Sequence, residues 1–131
     1  MPVMMTQSKQ PSNRPRADPS ILLASDSERH GKMMHRALQQ QGMAIEYAGD
    51  YSQVDDLLGA RNYDVVLLEV TGEHAAEQAV AAALRVKRAN AKQFVGYLAD
   101  ASLKSSGLAG DAVYPRNPVK VEEAVRKFNE L

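Results

Sequence analysis

From Ile21 onward, short apolar runs alternate with segments of helical spacing, and this alternation constrains the fold more than any other feature of the chain. Apolar runs at residues 21–24, 44–48, 64–70, 94–98 and 112–116 read as strands. Residues 27–41 read as a helix with Met33, Met34, Ala37 and Leu38 toward the core. Asp26 or Ser27 can cap its start and Gly42 can close its end. Ser52 caps a second helix with Val54, Leu57 and Leu58 inside, and an alanine-rich third spans residues 73–89. Residues 101–109 have room for a short helix only. In the last one, Asn117 is a good cap and Pro118 suits the first turn. Val121, Ala124, Val125, Phe128 and Leu131 then recur at helical spacing.

Strands that alternate with helices require right-handed crossovers and a parallel sheet covered on both faces. The most apolar strand, the third, belongs at the centre. The fifth contains Pro115, which cannot donate to a ladder, and belongs at an edge. The order 2-1-3-4-5 satisfies both, in a three-layer αβα sandwich. In such a sheet the site lies at the carboxyl ends of strands 1 and 3, where the strand order reverses. Asp26 follows strand 1, and Glu69 ends the run "YDVVLLEV". Two acids far apart in the text are thereby brought to one crevice.

The remaining text sets limits. Residues 1–19 carry four prolines and many polar residues without a period, so they read as a flexible tail, and residues 20–131 as one domain. The formal net charge of +0 gives no global field toward nucleic acid or an anionic membrane. Without cysteine there are no disulfides or thiolate metal sites. No apolar run approaches the roughly 20 residues that span a bilayer, and no signal-peptide core is visible, so a cytoplasmic protein is expected. His30, His35 and His74 have no partner three or four residues away, which excludes a helical metal pair.

"ILLASDSE", "YDVVLLEV", "FVGYLA" and "AGDAVYPRNP" occur in this order and at this spacing. Together they resemble the receiver domain of bacterial response regulators, a CheY-like, flavodoxin-like module of two-component signal transduction. The resemblance covers about residues 20–131. It implies a site in which an aspartate accepts a phosphoryl group beside Mg²⁺, a lysine pairs with the phosphoryl oxygens, and a hydroxyl draws a loop inward. Nearly every one of these positions differs here. The acid pair is Ser25 and Asp26, the phosphoacceptor position is Glu69, the hydroxyl position is Leu98, and the lysine position is Asn117. Arg116 stands beside Asn117, and strand alternation would aim it away from the crevice. Asp26, Tyr114 and Pro118 match the family, Tyr114 at the position of its switching aromatic. The stretch before Asn117 is short, so the fourth helix is expected to be short or missing.

Glutamate is longer than aspartate by about one C–C bond, ~1.5 Å. Misplacement of that order can cost about 10²-fold in rate. One carboxylate fewer also weakens the hold on a hard cation. These departures imply a pseudo-receiver that is not an enzyme and has no cofactor. Asp26 and Glu69 are its only candidate ligands for Mg²⁺. Its expected partner is another signalling protein (kinase, effector or regulator), with no role for membrane or nucleic acid. Homodimerisation through the face of the fifth strand and last helix is a further expectation. The alternative is a phosphorelay receiver with an atypical site, in which Glu69 accepts phosphate or stands as a fixed mimic of it. A small-ligand site in the crevice is a third reading, disfavoured because no glycine- and hydroxyl-rich phosphate loop is present.

Overall fold

The computed structural model describes residues 19–100 and 112–128. In chain order they form β1 (Ser20–Ser25), α1 (Glu28–Gln40), β2 (Ala44–Gly49), a 3₁₀ turn (Tyr51–Gln53), α2 (Val54–Ala60), β3 (Val65–Val70), α3 (Glu73–Ala89), β4 (Phe94–Ala99), β5 (Ala112–Tyr114) and α4 (Pro118–Phe128). The sheet is parallel, in the order β2-β1-β3-β4-β5. This is the expected 2-1-3-4-5 arrangement. The expected tail lies outside the described residues except for Pro19, and the expected short fourth helix lies outside them entirely.

β3 is central and all six of its residues are buried. Leu22, Ala24, Val66, Leu68, Val70, Val95 and Tyr97 form one core with α2 and α3. Ile21, Leu23, Val65, Leu67 and Leu98 form the other with Met34, Leu38, Val121 and Val125 of α1 and α4. The period of two along each strand divides the side chains between these layers. Glu69 follows Leu67 by two residues and so shares the α1/α4 face.

Local chemistry sets the helix ends. Ser27 caps α1 by accepting from the His30 amide. At its far end the Gly42 amide donates to Gln39 and the Met43 amide to Leu38, with Gly42 at φ +84°. That is a Schellman closure, and it needs a residue tolerant of positive φ. Ser52 does not cap the second helix. Asp50 accepts from the Ser52 amide at 3.1 Å and starts the 3₁₀ turn, and α2 follows from Val54.

Met33 is a correction to the expected core. It is 61% exposed, whereas Met34 and Leu38 are buried. The buried stripe of α1 runs through Gly31, Met34 and Leu38. At Gly31 a Cβ would lie 2.6 Å from the Tyr47 hydroxyl, so a side chain there would require the Tyr47 ring to move. The fifth strand is also shorter than its text. It ends at Tyr114, before Pro115, whose nitrogen has no hydrogen to donate. No helix among the described residues is long and apolar enough to cross a membrane.

Candidate functional site at the carboxyl end of the sheet

The parallel register places three candidate positions side by side. Ser25 of β1 pairs with Glu69 of β3, and Glu69 pairs with Leu98 of β4. Neighbours in register project to the same face, so a hydroxyl, a carboxylate and an aliphatic chain line the α1/α4 side of the crevice. Leu98 is fully buried and has no polar atom to offer. Ser25 is buried too, and its Oγ accepts from the Ser27 amide at 3.1 Å, where the chain turns into α1.

Glu69 is only 1% exposed. A carboxylate this deep requires a charged or hydrogen-bonding partner. That partner is Arg116, whose Nε donates to Glu69 Oε2 at 3.1 Å. Arg116 Nη1 also reaches Asp100 Oδ2 at 3.5 Å. The sequence-based expectation that Arg116 points away from the crevice is therefore corrected. Alternation holds only within a strand, and β5 has already ended two residues earlier. The Asn117 amide donates to the Pro115 carbonyl at 2.8 Å, and this tight turn directs Arg116 back across the sheet. Asn117, at the lysine-equivalent position, does not face Glu69. Its Oδ1 accepts from the Val119 and Lys120 amides and caps α4. The cation is thus supplied one residue earlier than the motif alignment implies.

Asp26 sits at the same end of the sheet but has its own partner. Oδ1 accepts from the Thr71 amide at 2.8 Å and Oδ2 from the Thr71 hydroxyl at 2.7 Å. Both carboxylate oxygens are engaged, and the loops after β1 and β3 are stitched together. A cleft of about 380 Å³ opens here against Ser25, Asp26, Asp50, Tyr51 and Ser52. Tyr51 is buried, and its hydroxyl donates to the Glu69 carbonyl at 2.6 Å. Burial, followed by the charges of Asp26 and Glu69, pushes its phenol well above the usual range. Tyr114 lies partly buried against the α1/α4 core, where a Cβ on Gly96 would stand 3.2 Å from its ring.

The fold implies a Mg²⁺ site, and the donor set present does not fit one. Both Asp26 oxygens are held by Thr71, Ser25 is neutral and already engaged, and Glu69 Oε2 meets a guanidinium rather than a metal. Among the described residues no group of three His, Asp or Glu side chains could hold a metal ion. Thr71, Tyr51 and Asp100 contribute to the site without a motif to announce them. For Arg116 a signal did exist, because Pro115 marks where the strand pattern stops.

No protein-family model matches the chain, and no curated protein matches it. Solved structures do. A response regulator protein from Burkholderia multivorans is 25% identical, over 86% of this chain and 97% of that one, with a TM-score of 0.53. A LuxR family DNA-binding response regulator from Silicibacter pomeroyi is 22% identical over 86% and 92%, with a TM-score of 0.64. The Vibrio cholerae chemotaxis protein CheY4 is 18% identical over 85% and 98%, with a TM-score of 0.61. The chain has the CheY-like receiver fold.

Proposed function

We propose that this chain is a receiver-like signalling module that works by binding another signalling protein and is not phosphorylated at Glu69. The observation that carries the reading is the occupied crevice. Glu69 is buried with its ion pair to Arg116, and the neighbouring crevice acid, Asp26, accepts hydrogen bonds from Thr71 on both oxygens. An incoming phosphoryl donor would have to displace the guanidinium, and a metal would have to compete with the hydrogen bonds that already hold Asp26. In-line attack also needs the nucleophile within about 3–3.5 Å of phosphorus, and a carboxylate 1% exposed is shielded from that approach. The likeness to response regulators supports a place in two-component signalling, with a kinase, effector or regulator as partner.

One observation favours the alternative of an atypical phosphoryl-accepting receiver. Arg116 supplies a cation beside Glu69 that the lysine-equivalent Asn117 does not. A single experiment separates the two. The protein is incubated with acetyl phosphate and Mg²⁺, and its intact mass is measured. The proposed reading expects no gain of a phosphoryl group. A covalent phosphate mapped to Glu69 would establish the alternative. A pull-down from native extract then identifies the partner.

A further inference from the structure

Arg116 does more than neutralise Glu69. Glu69 lies near the end of β3, Asp100 directly follows β4, and Arg116 is carried by the turn after β5. One guanidinium therefore ties the turn after β5 to the ends of the two strands beside it, at 3.1 Å to Glu69 and 3.5 Å to Asp100. β5 is the shortest strand of the sheet among the described residues. Among the described residues it is an edge strand of three residues, paired to β4 from Gly96↔Ala112 to Leu98↔Tyr114. So few ladder bonds hold an edge poorly, and side-chain ties count for more there.

The ends of the tie are themselves fixed. The turn carrying Arg116 is closed by the Asn117 amide and followed by a capped helix. Glu69 is anchored through its carbonyl by Tyr51. Glu69 Oε1 is buried without a hydrogen-bond partner, so the guanidinium on Oε2 is what holds this carboxylate. We propose that Arg116 is a latch that holds the β4–β5 edge and the start of α4 against β3 without any phosphoryl group. The module would then present that edge in one constant arrangement. The proposal rests on the reading above in one respect: the guanidinium keeps its seat only while Glu69 carries no phosphate.

Amide hydrogen exchange by NMR on the full chain tests it, with Arg116→Lys as the main variant. Lysine keeps a cation for Glu69 but lacks the planar fork needed to reach Asp100 as well. Exchange at Ala99, Val113 and Tyr114 should quicken by about tenfold, while Leu22 and Val66 keep their rates. Arg116→Ala should quicken the edge more strongly still, above a general rise that reports its lost stability, and Asp100→Asn should give a smaller edge rise of about twofold. A uniform rise across all strands in Arg116→Lys would make Arg116 an ordinary stabilising residue and overturn the latch. Unchanged rates at Val113 and Tyr114 would overturn it too. Should acetyl phosphate label the wild type, the functional reading fails while the exchange pattern still decides the latch. Unlabelled protein with an unmoved edge refutes the latch alone.

Discussion

The Tyr51 hydroxyl donates to the backbone carbonyl of Glu69 at 2.6 Å, so the residue at the centre of the crevice is held through its main chain as well as its side chain. The tyrosine belongs to the turn before α2 and its ring is buried in the α2/α3 core. Glu69 projects the other way, onto the α1/α4 face. The residue is thus gripped from both layers, and its carboxylate has little freedom to swing toward solvent.

Removing one partner of the buried ion pair should cost far more than replacing both. Arg116→Ala leaves Glu69 charged and buried, and is expected to lower stability by about 3 kcal/mol. Glu69→Leu combined with Arg116→Met should recover most of that loss, since apolar pairs often match buried ion pairs. Urea unfolding of the two variants checks this. A double variant as unstable as Arg116→Ala would show that the pair is not the source of the effect.

Two tyrosine hydroxyls should behave in opposite ways. Tyr51→Phe deletes a donor to Glu69 and is expected to cost about 1–2 kcal/mol. The Tyr47 hydroxyl is buried with no hydrogen-bond partner, so Tyr47→Phe should be neutral or slightly stabilising. Thermal melts of both variants provide the comparison.

Gly31→Ala should be destabilising despite the better helix propensity of alanine. Its Cβ would meet the Tyr47 ring and hydroxyl at 2.6–2.8 Å, and relieving the overlap is expected to cost about 1–3 kcal/mol. An exposed control, Met33→Ala, should change stability by no more than about 0.5 kcal/mol. Equal effects at the two positions would contradict the close approach of α1 to β2.

Alkaline titration should show a delayed phenol at Tyr63. Burial, with a hydrogen bond to Glu46 added, pushes its pKa up to about 12 from 10.0. The unfolded chain ionises first, so the folded state binds the extra proton between those values. The stability this contributes is complete below pH 10 and is lost as pH rises toward about 12. Phenolate absorbance of wild type against Tyr63→Phe isolates the group. Ionisation near pH 10 in the folded protein would contradict its burial against Glu46.

Asp26 and Thr71 should be energetically coupled. Each single variant, Asp26→Ala and Thr71→Val, loses hydrogen bonds worth about 1–2 kcal/mol. The double variant should cost less than their sum, by about 0.5–1 kcal/mol, because they share the same bonds. Strict additivity in urea melts would mean that the two loops are not stitched there.

Much of this molecule was legible in its text because periodicity is a local property. The strand of "VVLLEV", the helix of residues 73–89 and the crossovers between them follow from spacing and handedness alone. Those rules also bring Ser25, Asp26, Glu69 and Leu98 to one end of the sheet, since parallel strands end on the same side. Asn117 as the cap of the last helix was equally readable, because capping involves only near neighbours. What spacing could not decide is which groups meet across the sheet. The choice of Arg116 as partner for Glu69 depends on where β5 stops and how the turn after Pro115 bends, and Thr71 reaches Asp26 from a loop 45 residues away. Gly31 rather than Met33 faces the core, with the Tyr47 ring packed against it. Pairings of this kind are set by packing and by the demand that buried charge find a counter-charge, and only the folded chain satisfies that demand.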